Sequence, residues 1–474
     1  MKTNLTIRLK NILDGLTGCT QNIRAWVKRR TEKDAPVIFL ILVLAVILRV
    51  PFLSHPDRTV FDEVVYANFA TYIVHEAPFF DIHPPLARML FAEVARRGET
   101  FSGEVLRVET GQPFGNFPYV ALRSFVALFG VLLPLLIYSA GRLLGYAPRV
   151  AMIPALFVIF DNALTVYSRV ILPDMLLLVF GFSGLIAAFA ATKKRAVWQR
   201  LALTILAGSL IGLAVSVKWT ALGIFGIVAL CFLLSRMYWE VVLSALFVAL
   251  VYVSVFCAFV LYFPQGGKMD PILPPYDVPL VTTLEFPREH SPQAIGIFLL
   301  RYHGVMLETN RDPGITSEVM SAPGSLAWSV AKSSILFWED SASGGNNGGR
   351  AITLTGNSLL WFVVFFALLF ELTWIFFHIV RERRWPIDNN ESILLAGYVM
   401  NYLPFFFIHR SMYLYHYFTA LIFLFLIVPR ITPRIIDCIA RLSHDRLLAE
   451  TLLLFIGFLI LLNFFLLSPV TYGF

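Results

Sequence analysis

Apolar residues run along this chain in long stretches, separated by short polar breaks and by two extended polar segments. Stretches of roughly 18 or more mostly apolar residues predict membrane-spanning helices. Eleven such stretches stand at about 36–54, 119–141, 150–167, 170–191, 201–217, 219–235, 238–263, 357–380, 391–408, 411–429 and 449–468. The expected fold is therefore all-α, a polytopic bundle of about 11 transmembrane helices with two long connecting loops, about 55–118 and 264–356.

Within the first long loop Leu86, Met89, Leu90 and Val94 recur at helical spacing with Arg88, Glu93, Arg96 and Arg97 between them, which predicts an amphipathic helix on the membrane surface. The second loop opens with Pro271, Pro274, Pro275 and Pro279 and closes with the turn-forming run 344–350, so it is expected to be irregular with a few surface helices. That glycine cluster lacks the Lys-Ser/Thr of a phosphate-cradling loop and reads as a flexible connection. Gly208 and Gly212 form a small-xxx-small pair in the fifth apolar stretch and predict close helix packing.

Composition agrees with the pattern. The chain has 474 residues, of which 58% are hydrophobic and 15% charged, with a mean hydropathy of +0.73; soluble domains of ordinary size cannot hide that much apolar surface. The net charge of +7 invites a nucleic-acid partner, but the basic residues cluster beside the spans. With the N-terminal segment 1–35 on the cytoplasmic side, Lys193, Lys194, Arg195 and Arg200, then Arg381, Arg383 and Arg384, then Arg430, Arg434, Arg441 and Arg446 all face inward, as the positive-inside bias requires. Both long loops then lie outside. The first apolar stretch ends at Arg49-Val50-Pro51-Phe52 without a small-residue cleavage signal and reads as a retained anchor. Cys19, Cys231, Cys257 and Cys438 form no CxxC and none lies in an outer loop, so neither a disulfide framework nor a zinc site is expected. The sequons at Asn4 and Asn390 fall on the cytoplasmic side.

Candidate chemistry starts just beyond the first span with Phe61-Asp62-Glu63, followed by Phe79-Phe80-Asp81-Ile82-His83-Pro84-Pro85. A hydroxyl attacking a sugar carbon needs a carboxylate to take its proton, and a departing phosphate needs cationic or hydrogen-bonding groups. From position alone, Asp62 and Glu63 read more readily as a solvated loop end than as catalytic groups. Arg123, Asp161, Arg169, Asp174, Lys218, Arg410 and His416 lie within or at the ends of apolar spans, where burial is expensive and each needs a partner. Arg169 and Asp174 flank one short turn and suit a structural pairing or an interfacial position; Arg123, Lys218 and Arg410, near the outer face, suit phosphate binding. His83 has only Asp81 nearby and no second histidine at ligand spacing, so loop-shaping is expected rather than metal ligation.

These residues, in this order, resemble the protein O-mannosyltransferases of the GT-C class of membrane glycosyltransferases. The resemblance rests on Asp62-Glu63; Phe80-Asp81-Ile82-His83-Pro84-Pro85-Leu86; Tyr119 to Arg123; Asp161-Asn162-Ala163-Leu164; Ser168-Arg169 to Leu172; Lys218-Trp219-Thr220; Trp328 to Trp338; Gly356-Asn357; Tyr402 to Phe406; and Arg410 to Tyr417. It implies a GT-C catalytic domain over 36–474, with Asp62 as catalytic base and Glu63 positioning the acceptor. It further implies that Asp81 and His83 order the loop, that Arg123 is needed for activity, and that Lys218, Arg410 and His416 surround the donor phosphate.

The implied reaction moves mannose, with inversion and without a required metal or other cofactor, from polyprenyl-phosphate mannose to Ser or Thr of a secreted or translocating protein. Association with a translocon fits that acceptor. Two departures stand out: Tyr415-His416 where the family often has paired histidines, and Ala87-Arg88 where Gly-Lys is common. The second loop has no room for the β-trefoil domain of eukaryotic members, which implies a prokaryotic stand-alone enzyme of the plasma membrane. Two other readings stay open: a transferase with the same donor type acting on a lipid or glycan, and a transporter, which would predict inverted repeats and broken helices at mid-membrane.

Overall fold

In the computed structural model, residues 34–98, 110–269, 283–311, 325–330, 332–340, 350–408 and 412–474 are described. Most of the segment 1–35, the proline-rich start and glycine-rich end of the second loop, and Arg410 lie outside these residues.

Helix α1 spans 34–49. An irregular stretch leads into α2 (Glu63–Val74) and α3 (Leu86–Arg96), and the chain then enters α4 (Tyr119–Leu143), α5 (Pro148–Ile159), α6 (Asn162–Tyr167), α7 (Asp174–Thr192), α8 (Val197–Val215), α9 (Leu222–Leu234) and α10 (Tyr238–Leu261). The second long loop carries β1 (Gly267–Lys268), β2 (Glu285–Phe286), α11 (Pro292–Arg311), β3 (Ile335–Glu339) and β4 (Ala351–Leu354); α12 (Ser358–Glu382), α13 (Asn389–Tyr402), α14 (Phe418–Ser443), α15 (Arg446–Leu466) and α16 (Ser468–Tyr472) complete the fold.

Among the described residues, seven helices are long and apolar enough to cross a membrane: α4, α7, α8, α10, α12, α14 with the turn before it, and α15. Each of the eleven apolar stretches contains a helix, because a helix satisfies its backbone hydrogen bonds internally whatever surrounds it. α7 is the most buried span and packs against α4, α8 and α9, whereas α10 and α15 turn Leu246, Leu250, Val253, Leu454, Phe458 and Phe465 outward, as lipid-facing helices do. Gly208 and Gly212 let α8 lie directly on α10: a Cβ at Gly208 would meet the Ser244 carbonyl at 2.6 Å and one at Gly212 the Val248 carbonyl at 3.0 Å.

Three expectations change. The stretch 150–167 is not one helix: it breaks between α5 and α6, where Asp161 caps α6 by accepting from Leu164 N at 2.8 Å. The same carboxylate accepts from Trp361 Nε1 at 2.5 Å and from Asn357 N at 3.3 Å, so Asp161 joins α6 to α12 and its charge is spent on structure. The second loop, expected to be irregular with a few surface helices, carries among its described residues not only the 20-residue α11 but two antiparallel pairs, Gly267 opposite Phe286 and Ile335 opposite Leu354. Finally, α3 is amphipathic, but Arg88 lies on its buried face rather than among its exposed charges.

Candidate active site

The site is built on the irregular stretch between α1 and α2. Phe61 takes a left-handed backbone conformation (φ 49°), which a bulky side chain adopts only under outside constraint. The constraint is visible: Phe61 N donates to the Phe337 carbonyl at 3.0 Å, and the two rings stack at 4.5 Å with an interplanar angle of 4°. Phe337 sits in the β3 irregularity between Leu336 and Trp338, which frees it from pairing with β4. The residue after this forced turn is Asp62, at the N-cap of α2, and its side chain makes no capping bond. Burial pushes the Asp62 carboxyl up from its ordinary value to about 6; the Lys218 ammonium pulls it down and the Asp174 carboxylate pushes it up.

Glu63 has the opposite situation. It is wholly buried and accepts four hydrogen bonds: Arg123 Nε at 2.8 Å and Ile171 N at 2.8 Å on Oε1, Arg123 Nη2 at 2.6 Å and Val60 N at 3.0 Å on Oε2. Arg123 is equally engaged, with its remaining donors on the carbonyls of Leu53 (3.1 Å), Pro56 (2.7 Å) and Arg58 (3.1 Å). All five guanidinium N–H groups are therefore used. This corrects two expectations: Arg123 has no donor left for a phosphate, and Glu63 has no lone pair left for an acceptor. Their pairing closes the base of the loop that presents Asp62.

Asp81 and His83 lie on the approach to α3. Asp81 is buried in an ion pair with Arg88, accepts from His83 N at 3.1 Å, and its backbone N–H donates to Tyr302 Oη at 3.2 Å. Arg88 also donates to the Pro84 carbonyl at 2.6 Å and lies 5.3 Å from the Phe69 ring centroid. The group is a loop clamp tied to α11, and it draws Arg88, whose helical spacing alone suggested exposure, into the interior.

The second half of the site comes from α7 and the Lys218-Trp219-Thr220 turn. Lys218 Nζ donates to both oxygens of Asp174, at 2.9 and 2.7 Å, and lies 5.0 Å from the Tyr415 ring centroid. Asp174 also accepts from Tyr167 Oη at 2.9 Å. Arg169 and Asp174, expected to take a structural pairing or an interfacial position, each have structural partners, but not one another: Asp174 has Lys218, and Arg169 donates to the carbonyls of Arg49, Pro51 and Phe52. Trp219 Nε1 donates to Tyr252 Oη at 2.8 Å, which lies 2.8 Å from His303 Nε2, so α10 and α11 brace the turn that carries Lys218.

A small cleft lies beside this pair, lined by Asp174, Leu177, Thr220, Tyr415, His416 and Thr419 among others. The turn Leu414–Tyr417 brings His416 there; its ring stacks on Tyr415 at 4.5 Å, and its Nδ1 lies 3.2 Å from Tyr413 N. Among the described residues, no three His, Cys, Asp or Glu side chains gather at metal-ligand spacing. The structure thus brings Asp62, Lys218 and His416 to one region, together with Asp174, Tyr167 and Tyr415, and assigns Glu63, Arg123, Asp81 and His83 to the frame around it. Phe337 lies within the Trp328 to Trp338 element but nothing in the sequence singles it out, because its role depends on a strand irregularity, and sequence reasoning misses Tyr167 because its role rests on a hydrogen bond to Asp174 seven residues on.

Comparison with known proteins follows the same lines. Residues 39–266 match the family model described as dolichyl-phosphate-mannose-protein mannosyltransferase, and 298–474 match that of the C-terminal four-transmembrane region of protein O-mannosyltransferase. The chain is 35% identical over 223 residues to dolichyl-phosphate-mannose–protein mannosyltransferase 1 of Candida albicans and 33% over 198 residues to the Saccharomyces cerevisiae protein of that name. These alignments cover 45% and 40% of this chain, but in each case only 24% of the relative, so the chain matches about a quarter of the length of each. The solved S. cerevisiae protein O-mannosyltransferase Pmt1-Pmt2 complex, bound to the sugar donor, superposes with a TM-score of 0.74 at 17% identity, over 93% of this chain and 90% of that one. The Archaeoglobus fulgidus oligosaccharyltransferase shares the fold more loosely, with a TM-score of 0.52 at 14% identity over 93% of this chain and 56% of the other. With matches to both halves of one family's sequence and a fold shared along nearly the whole chain, this protein is a member of the protein O-mannosyltransferase family, on a GT-C membrane glycosyltransferase fold.

Proposed function

We propose that the chain is an inverting glycosyltransferase that moves mannose from polyprenyl-phosphate mannose to Ser or Thr hydroxyls of secreted or translocating proteins, with Asp62 as the base. The observation that carries this reading is the placement of Asp62: a turn constrained at Phe61 presents its carboxyl at the start of α2 without a capping bond, in electrostatic reach of the Lys218–Asp174 pair, and burial pushes it up to about 6. A carboxylate of pKa 6 is about nine-tenths ionised at pH 7 and is a stronger base than an ordinary one.

The acceptor oxygen attacks the sugar C1 from the face opposite the phosphate. As the C1–O bond to phosphate breaks, its electron pair leaves on the polyprenyl phosphate, and the acceptor proton passes to Asp62. Lys218, held by Asp174 and flanked by Tyr415, supplies positive charge where the leaving phosphate accumulates negative charge. His416 lines the same cleft and suits a hydrogen bond to the donor. Arg410, which lies outside the described residues, is assigned to the donor phosphate from the resemblance. Glu63, Arg123, Asp81 and His83 hold the first loop in shape.

The catalytic unit is 36–474, in a plasma membrane, with 1–35 cytoplasmic and the loops 55–118 and 264–356 outside, where a lipid-linked donor reaches the site laterally. The basic clusters beside the spans support this orientation. A translocon is the partner that such an acceptor calls for. The reading is tested by transfer of radiolabelled mannose from polyprenyl-phosphate mannose to a Ser/Thr-rich peptide by purified protein and its Asp62→Asn variant. Transfer by the wild type alone supports it. Equal transfer by both moves the base elsewhere, and transfer only to lipid or glycan replaces the acceptor.

A further inference from the structure

The stretch 50–61 that leads to Asp62 has no helix or strand of its own, yet its carbonyls are accounted for almost one by one. At the C-terminal end of α1, where helix carbonyls lack internal partners, Tyr472 Oη donates to the Leu48 carbonyl at 2.7 Å. Arg169 then takes Arg49, Pro51 and Phe52 at 3.0, 2.7 and 3.2 Å. Tyr119 Oη takes Ser54 at 3.1 Å, and Arg123 takes Leu53, Pro56 and Arg58. The loop's conformation is therefore set by side chains from elsewhere.

Arg123 is already part of the frame described above; Arg169 is its counterpart at the other end of the stretch. Its guanidinium lies 4.7 Å from the centroid of the Tyr472 ring, a cation–π contact added to its three carbonyl partners. The segment 468–474 that carries Tyr472 is itself tied down. Asn162 donates to Thr471 Oγ1 at 2.8 Å, His55 Nε2 lies 2.9 Å from the Gly473 carbonyl, and the His55 and Phe474 rings stack at 5.1 Å. Gly473 has φ 76°, and a Cβ there would meet Ile352 Cγ1 at 2.8 Å, so the segment fits closely against β4. None of these residues lines the cleft beside Lys218 and His416.

We infer that Arg169 and Tyr472 are positioning residues: as a clasp from the 468–474 segment they hold the stretch 48–58 in register, and so hold Asp62 in place for turnover without contributing to donor binding. The inference rests on the reading of Asp62 as base. A lysine at 169 keeps the charge but cannot reach three carbonyls, and displacement of a base by about 1 Å can cost up to about a hundredfold in rate.

The test uses the full chain, purified in detergent, as Arg169→Lys, Arg169→Ala and Tyr472→Phe, with mannosyl transfer followed at varied donor concentration. The expected result is a kcat lowered by roughly ten- to a hundredfold in the Arg169 variants and by a few-fold in Tyr472→Phe, with donor KM within about twofold of wild type. Added guanidinium should partly restore kcat in Arg169→Ala. A raised donor KM at unchanged kcat, or wild-type kinetics in all three variants, would overturn the inference. A second measurement is independent of the chemistry: Val60→Cys, buried in the intact protein, should resist a thiol reagent and become reactive when combined with Arg169→Ala, read by mass spectrometry of the peptide containing residue 60. Unchanged protection there overturns the clasp. Exposure there, alongside wild-type turnover by Asp62→Asn, would retain the clasp and remove only the assignment of Asp62 as base.

Discussion

Adjacent acidic residues in this protein should fail in opposite ways, and Glu63→Gln is the sharper case. Glu63 is 0% exposed and Arg123 1%, so the pair is shielded from water and from salt. Replacing the carboxylate by an amide keeps the volume but leaves one oxygen where there were two. The new NH2 must face either the N–H of Val60 or that of Ile171, as well as one arm of Arg123, so donors meet donors. Breaking a buried pair by removing one partner costs about 3–5 kcal/mol, a large part of a typical stability of about 5–15 kcal/mol. Because Gln keeps one acceptor, the low end, about 3 kcal/mol, applies. For a chain of 474 residues the unfolding entropy is about 1 kcal/mol/K, so Tm should drop by about 3 °C in thermal unfolding followed by intrinsic fluorescence. Asp62→Asn, which removes no capping bond, should keep Tm while lowering turnover by roughly two or more orders of magnitude. In a double-mutant cycle, Glu63→Gln and Arg123→Gln together should cost clearly less than the sum of the single changes. A wild-type Tm for Glu63→Gln, or strict additivity in the cycle, would refute the assignment of Glu63 to the frame.

Other outcomes follow from the same geometry. Initial rates measured across acid pH should fall as pH drops through about 6, because the raised Asp62 carboxyl is a base only above that value and is protonated below it; an acid limb near pH 4 would contradict the assignment. Lys218→Gln removes the charge beside Asp174 and should weaken transition-state stabilisation by at least tenfold in kcat/KM, with Lys218→Arg recovering part of it. Asp81→Asn leaves buried Arg88 without its counter-charge and should lower Tm by about as much as Glu63→Gln, detectable in the same unfolding assay. Gly130→Ala would place a Cβ 2.3 Å from Ser168 Cβ; it should destabilise by about 1–3 kcal/mol, and unchanged Tm would show that α4 can shift away from the turn before Arg169.

Residue order already carried much of this molecule. The hydrophobic stretches located the helices of the bundle because a long run of apolar side chains is stable in a bilayer, and a helix satisfies its backbone there within a single segment. The Asp62-Glu63 pair, the His83-Pro84-Pro85 turn and Lys218-Trp219-Thr220 could be singled out because charged groups beside apolar spans are costly and need a use. Sequence could not tell which use. Asp62 and Glu63 are chemically near-identical neighbours, yet one ends up in a group of ionisable residues with a raised pKa and the other inside a saturated ion pair, because successive residues at the start of α2 point in different directions. Arg123 reads as a phosphate ligand until its five donors are counted against carbonyls that lie 65 to 70 residues away in sequence. Asp174 pairs with Lys218 across 44 residues rather than with its near neighbour Arg169. Local pattern thus determined what each residue could do, the helices it could form and the charge it could offer. Which residues meet was decided only by packing, since ion pairs and carbonyl contacts form between groups that the tertiary fold brings within about 3 Å, whatever their separation along the chain.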